Sequence, residues 1–420
     1  MFEKMMRLLI AVLLVTIASS VGCVSFRTDL TEKVKNAEHV VVYQQKDKFI
    51  GWPANNGAWT ADGVNMLVGF THGDYQLNKN DHNIGGNQVS WLARSADMGH
   101  TWEGYDPVDY VGDFDEKPQL HTLEKPIVFS HPQFAMRLVG TAYHGAYDPR
   151  GHFFYSYDAG TSWNGPYRFG TDDIRQWPEL KSTTLPEDTE LTPRTDYVVE
   201  GKHECLVFMS VRAKGQFGTD RLFCMRTVNG GRTFKFAGWV VPPYDGKKVD
   251  LSLNVKLEGD ETQNPHPNQA RAVMSQTVKL ENGKLICAMR RRYREHNWVD
   301  AYVSQDRGHS WTFLSEVGDA GAGNGNPPAL NITDGERLVA VFGDRKEPGA
   351  MKVVYSDNEG NSWSRPKILR DGYGSVDMET IDLGYPRLLK RKDGKMVALY
   401  YWSTKDCLHH IAATIWDADE

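Results

Sequence analysis

Three features of the 420-residue sequence predict an all-β chain: a six-bladed β-propeller of four-stranded antiparallel blades, its ring closed by N- and C-terminal strands. One octapeptide pattern recurs five times, a 22-residue spacing recurs between hairpin turns and octapeptides, and the composition is rich in turn formers and aromatics. The octapeptides read SADMGHTW from Ser95, SYDAGTSW from Ser156, TVNGGRTF from Thr227, SQDRGHSW from Ser304 and SDNEGNSW from Ser356. Their chemistry is that of a hairpin turn. The third residue (Asp97, Asp158, Asn229, Asp306 or Asn358) bonds backbone N–H groups of its own turn, and the glycine two residues on tolerates positive φ. The closing Trp or Phe packs beneath neighbouring strands, so these residues are read as structural.

A second element recurs beside the octapeptides: apolar strand, tight turn, apolar strand. It is seen in TVKLENGKLICAM, ALNITDGERLVAVF and RLLKRKDGKMVALYY, with Asn282-Gly283, Asp334-Gly335 and Asp393-Gly394 at the turns. Asn282 to Ser304 is 22 residues, and so is Asp334 to Ser356. The shared spacing marks one repeating unit, a four-stranded blade. Counted from Asp393, the same interval reaches Ile415, where a third strand is present but no octapeptide follows. The missing outer strand is assigned to HVVVYQ at 39–44, which closes the ring without an exposed edge.

Composition agrees. Gly 39, Trp 12, Tyr 18 and Phe 17, without long stretches of helical period, exclude a helical bundle. With 48 basic against 54 acidic residues and 40% hydrophobic residues, the chain is neither disordered nor a nucleic-acid binder. Local basic clusters remain able to bind a single carboxylate.

Residues 1–22 carry Lys4 and Arg7, then LLIAVLLVTIA, then SSVG directly before Cys23, the layout of an export signal. The apolar run is short for a permanent span. Cys23 after Val-Gly resembles the acylated cysteine of a bacterial lipoprotein, although Ser20 stands where such signals usually carry Leu. The expected organisation is a signal peptide over 1–22, a polar tether over 23–38 and a propeller over 39–420, exported and held at the membrane by a lipid on Cys23. The other cysteines, Cys205, Cys224, Cys287 and Cys407, lack CxxC spacing or spaced histidines, so no metal is expected; buried free thiols are the reading, with a Cys205–Cys224 bridge as the alternative.

The repeated S-x-D-x-G-x-[ST]-W boxes resemble the Asp boxes of the sialidase superfamily, over essentially all of 39–420. The resemblance implies the propeller strongly. It implies function weakly, because the same box decorates propellers with other activities.

In such a blade the first hairpin turn and the Asp box share one end, so chemistry belongs to the opposite end, where insertions collect. From Asp62 to Ser95 the spacing exceeds the repeat by eleven residues, within THGDYQLNKNDHNIGG (71–86); a longer connection also lies at 210–221. On that face stand Arg212, the run Arg290-Arg291-Arg292 and Arg345 after second strands, and Trp52, Met274 and Tyr385 before first strands. Converging guanidiniums suit a carboxylate-bearing sugar through bidentate, charge-assisted hydrogen bonds. Arg290 and Arg345 end second strands at equivalent places of consecutive repeats.

By resemblance to sialidases, SQTVKLENGKLICAMR carries a carboxylate-binding arginine at Arg290, and GYPRLLKRKDGKMVALYYW carries the catalytic tyrosine at Tyr385. Arg345 falls near a further substrate arginine. The acid/base aspartate belongs to the 71–86 loop, leaving Asp74 and Asp81 as candidates. Two departures stand out: FIGWPANNG (49–57) lacks the first arginine, and Met274 occupies the place of the glutamate that polarises the tyrosine, a role left to Glu379 or Asp382.

Histidines offer another chemistry. His72 and His82 sit in the insertion and His144 in blade two; His82 with Tyr385 and Arg290 would suit proton abstraction beside a uronate carboxylate. Trp52, Trp59 and Tyr147 could stack on a sugar face. The sequence therefore points first to an exo-acting glycoside hydrolase of sialidase type on a terminal acidic sugar, with Tyr385 as nucleophile, Asp74 or Asp81 as acid/base, and Arg290, Arg345, Arg212 and Trp52 binding substrate. A uronate-directed glycosidase or lyase is the alternative, and a non-catalytic glycan-binding propeller the third. No cofactor is expected in any of them.

Overall fold

Period-two runs of β-branched and aromatic residues build six antiparallel sheets in chain order. The computed structural model describes residues 32–77, 82–107, 119–140, 148–181, 188–214, 219–243, 270–374, 381–406 and 408–420. Blade one comprises Lys48–Gly51 and Ala58–Thr60, both on Met66–Tyr75, then Ile84–Ser95 and Glu103–Tyr105. Blade three is Thr189–Val199, Cys205–Ala213, Arg221–Thr227 and Lys235–Trp239, and blade four Arg271–Lys279, Leu285–Tyr293, His296–Ser304 and Thr312–Asp319. Blade five follows with Ala329–Ile332, Leu338–Asp344, Ala350–Ser356 and Lys367–Arg370. In blade two the strands assigned among the described residues are Ala135–Val139, His152–Ser156 and Asn164–Tyr167.

Blade six closes the ring as the spacing predicts. Gly384–Lys390, Met396–Trp402 and His410–Trp416 receive Glu38–Tyr43 as the outer strand, Glu38 opposite Ile415 and Val41 opposite Ala412. The signal segment, Cys23 and the start of the expected tether lie outside the described residues. The end of that tether is part of the propeller, because the compact unit begins at Lys33 and the Val34 N–H donates to the Ile368 carbonyl at 2.9 Å.

Each Asp box is a closed hydrogen-bond circuit. In the first, Ser95 Oγ donates to Asp97 Oδ1 (2.8 Å), the Gly99 N–H donates to Ser95 Oγ (2.9 Å), and Thr101 gives its N–H to Oδ1 (2.9 Å) and its hydroxyl to Oδ2 (2.6 Å). Asp158 and Asp306 repeat the pattern with Ser162 and Ser310, while Asn229 and Asn358 accept the N–H of Thr233 and Ser362 at Oδ1 but donate from Nδ2 to their hydroxyls. The residue before the glycine is left-handed as well, with Met98 at φ 62°, Ala159 at 53°, Arg307 at 62° and Glu359 at 58°, a strain that the glycine alone had not signalled. Boxes also meet the preceding blade's first hairpin: Glu359 accepts from Asn282 (2.7 Å) and Lys284 (2.5 Å), and Arg307 reaches Glu200 and Glu204. Hairpins and boxes therefore share one end. Cys205, Cys224 and Cys287 are free and buried, and burial pushes the Cys224 thiol up to about 12. The Cys205–Cys224 bridge is not formed, because Cys224 stands opposite Phe208, three residues along the strand from Cys205.

Candidate functional site

At the other end three first strands are bent at matching positions. Trp52, Met274 and Tyr385 have φ of 60°, 59° and 50°, and the pairing register slips between Val273 and Gln276 and between Gly384 and Arg387. A left-handed non-glycine residue costs about 1–2 kcal/mol, so three such bends must be held by their surroundings. At Tyr385 the clamp is Asn326, fully buried: its Nδ2 donates to the Leu383 carbonyl (2.9 Å), and its Oδ1 accepts the Tyr385 N–H (2.7 Å). Gly384, at φ 104°, is obligatory beside it, since a Cβ there would stand 2.1 Å from Asn326 Oδ1. No motif in the sequence singles out Asn326.

The bend brings Tyr385 between two arginines. Arg290, 2% exposed, donates from Nη1 to the Tyr385 hydroxyl oxygen at 3.2 Å and lies 3.8 Å from the Met274 sulfur. Arg345 stands over the Tyr385 ring, 5.5 Å from its centroid, and donates from Nη2 to Tyr401 Oη (2.6 Å), the Leu383 carbonyl (3.0 Å) and Asp382 Oδ1 (3.3 Å). Burial works against its charge, but Tyr401 and Asp382 outweigh it and hold the guanidinium pKa above its ordinary value.

The insertion delivers His82 to the same place. Its Nδ1 lies 2.7 Å from Asp382 Oδ1, and its ring meets Trp52 edge-on at 4.8 Å and Tyr385 at 6.1 Å. Asp382 is 2% exposed, and the same Oδ1 accepts from Arg345 and Tyr401. Burial alone would raise this carboxyl; the charge and hydrogen bond of His82, joined by Arg345, instead hold it well below the usual carboxylate range. Next to His82, Asn83 bonds His409 (3.2 Å), a buried imidazole that burial pushes down to about 4.

Tyr385, His82, Arg290, Arg345 and Trp52 are thus brought together, and other expected residues are not. Arg212 is buried in register with Glu190, whose Oε1 lies 2.5 Å away, so its charge is answered inside blade three rather than offered to a ligand. Asp74 is exposed at the strand end and paired with Lys48 (2.6 Å), outside the Tyr385 cluster. Asp81, His144, Tyr147, Glu379 and Cys407 lie outside the described residues. Asp382 engages His82 and Tyr401 rather than the Tyr385 hydroxyl. The arginine run divides along the strand: Arg291 is buried against Asp300 and Tyr302, while Arg292 is turned to Asn324. His72 packs on Trp91 and bonds Gln45 (2.7 Å). Trp59 packs on Trp163 and lines, with Phe134 and Tyr197, a cavity of about 590 Å³ among hairpin-turn residues at the opposite end.

Fold and site together define a six-bladed Asp-box propeller with an Arg–Tyr–His–Asp cluster at the end opposite its Asp boxes, its Arg, Tyr and Asp buried and its His half-buried. The chain belongs to the family of the BNR repeat-like domain, which matches residues 91–398. No curated protein matches it in sequence. Among solved structures it is similar to a protein of unknown function from Dyadobacter fermentans (14% identity, 91% of this chain and 99% of that one, TM-score 0.59). It is also similar to the GH93 α-L-arabinofuranosidase of Fusarium graminearum, solved with arabinobiose (12%, 91% and 98%, TM-score 0.55). The Hadza microbial sialidase Hz136 is similar over 87% of this chain and 65% of its own (12%, TM-score 0.50). At these identities what is shared is the fold.

Proposed function

We propose that the protein is an exo-acting glycoside hydrolase that takes a terminal acidic sugar into the cluster around Tyr385. The observation that carries this reading is Tyr385 itself, forced out of its strand with Arg290 on its oxygen and His82 across its ring. Negative charge developing on that oxygen as its proton leaves, ahead of attack at an anomeric carbon, would be countered by Arg290. Glycan-cleaving activity in propellers of this fold supports the class: the similar enzymes named above are an arabinofuranosidase and a sialidase. Support for an acidic sugar is the pair of guanidiniums flanking one tyrosine. The test is turnover of a panel holding α-linked sialosides, α-L-arabinofuranosides and uronate-capped oligosaccharides. Release of the terminal sugar supports the reading, and release of the neutral arabinoside alone removes the acidic specificity.

One observation favours a second reaction on the same residues. Among the described residues no carboxyl group touches the Tyr385 hydroxyl, whereas an imidazole oriented by a carboxylate stands beside its ring. That suits β-elimination from a uronate, in which the proton α to the carboxylate is removed and the leaving oxygen is protonated. It would yield an unsaturated uronate absorbing in the near ultraviolet, which hydrolysis does not.

Export with a lipid on Cys23 belongs to this proposal and rests on the order of residues 1–23. Intact mass of the membrane-extracted protein, compared with Cys23→Ser, tests it.

A further inference from the structure

We infer that Asp382 is the positioning residue of a His82–Asp382 proton-transfer pair, in which blade six supplies the carboxylate and the blade-one insertion supplies the imidazole. The inference rests on the enzymatic reading of the site above and holds for hydrolysis and elimination alike.

The carboxylate is fixed by blades five and six. Arg345 is anchored on the Leu383 carbonyl through Nε (3.2 Å) and Nη2 (3.0 Å) and also reaches Asp382 Oδ1. Tyr401 donates to the same oxygen, and the Asp382 N–H is held by the Tyr373 hydroxyl at 3.0 Å. His82 is then added from a segment 300 residues away, within the eleven-residue excess over the basal repeat. Its neighbours pin the approach: the Gln76 N–H donates to the Asn83 carbonyl (3.2 Å), and the Asn83 amide bonds His409.

This geometry fixes a tautomer. With Oδ1 of an ionised carboxylate 2.7 Å from Nδ1, the neutral form of the ring keeps its proton on Nδ1 and its lone pair on Nε2, at the far edge of the ring. In hydrolysis Nε2 accepts the Tyr385 hydroxyl proton as that oxygen bonds the anomeric carbon, passes it to the departing glycosidic oxygen, then takes a proton from the water that displaces Tyr385 and returns it to the tyrosine oxygen; in elimination it accepts the proton α to the carboxylate as the double bond forms, and the departing oxygen receives it. Proton and charge balance over the cycle, and the imidazolium formed between the two steps is countered by Asp382. The titratable and charged groups facing Asp382 are His82, Arg345, Tyr401, Tyr373 and His409; Tyr385 faces His82 and Arg345.

Two measurements test the pair. Nitrogen-15 NMR of the imidazoles in the full-length protein without substrate, with His82 assigned through His82→Gln, is expected to show His82 protonated at Nδ1. Protonation at Nε2 overturns the inference even if every variant misfolds. In kinetics, Asp382→Asn is expected to lower kcat by roughly 10²–10⁴-fold with KM little changed and to alter the pH–rate profile. The double variant His82→Gln/Asp382→Asn should be no slower than His82→Gln alone, because the carboxylate acts only through the imidazole. Multiplying losses, or a folded Asp382→Asn protein with the unmodified rate and pH profile, overturn it. Because the tautomer is read without substrate, failure of every glycan to turn over counts against the enzymatic reading and not against the pairing.

Discussion

The two ends of this propeller are built by opposite means. At the box end the decisive hydrogen bonds run two to four residues along the chain, as from Ser95 to Asp97 and from Asp97 to Thr101, and the same circuit is copied in five blades. At the site end they run from His82 to Asp382 and from Arg290 to Tyr385, 300 and 95 residues apart, and each occurs once. Redundant local contacts make a scaffold that tolerates loss at one copy. Single long-range contacts make a site that does not.

The sharpest way to break that contrast is to remove one carboxylate from each end. Asp382→Ala leaves Arg345 buried without its counter-ion and is expected to cost about 3–5 kcal/mol, read as a fall in the denaturation midpoint. Asp306→Ala removes an equally well-bonded but exposed group and is expected to cost about 1–2 kcal/mol, with activity retained. Equal losses would end the comparison.

Acid should release the two ends in sequence. Burial pushes His409 down to about 4 and His152 to about 3, and burial with the Lys48 charge brings His72 to about 4. The unfolded chain binds those protons near 6.5 and the folded chain only near 3–4, so their stabilisation is full above pH 6.5 and is lost as pH falls towards 4. The fully buried His409 and His152 dominate that loss, and the less deeply buried His72 contributes less. Asp97 and Asp306 sit at about 2. For Asp97 burial is outweighed by bonds from Thr101 and Ser95, and for Asp306 the Ser310 bonds dominate. Their contribution is present above 3.8 and disappears only as pH falls through 2. Hydrogen exchange followed from pH 7 to pH 3 should therefore show the strands around His409 and His72 losing protection before the box turns.

The smallest expected effect is a gain. Ala159 holds the left-handed position of its box at φ 53°, so Ala159→Gly should add up to about 1 kcal/mol, seen as a small rise in Tm without change at the site.

The same contrast explains what the sequence discloses. Local circuits leave motifs, so the boxes, the 22-residue period and the closing strand at Glu38–Tyr43 are all legible. Tyr385, Arg290, Arg345, Trp52 and His82 are legible as candidates, through the resemblance and through insertion length. Their pairing is not, because nothing in a linear pattern sets His82 against Asp382. Arg212 is instructive, since the hairpin turns about Lys202 with Val199 opposite Cys205, and only the register shift between Pro193 and Tyr197 sets Glu190 opposite Arg212, which the turn itself does not announce. Asn326, Tyr401 and His409 carry no signal because they support the site from neighbouring strands and loops, and only the closed ring makes them neighbours.

The central claim is that the cluster around Tyr385 does the chemistry. Turnover of a glycan substrate by the unmodified protein and by Tyr385→Phe, each checked by its melting temperature, tests it most directly. We expect the variant to melt within a few degrees of the unmodified protein and to lose roughly 10³-fold or more of kcat. A folded Tyr385→Phe protein that keeps the full rate would contradict the account.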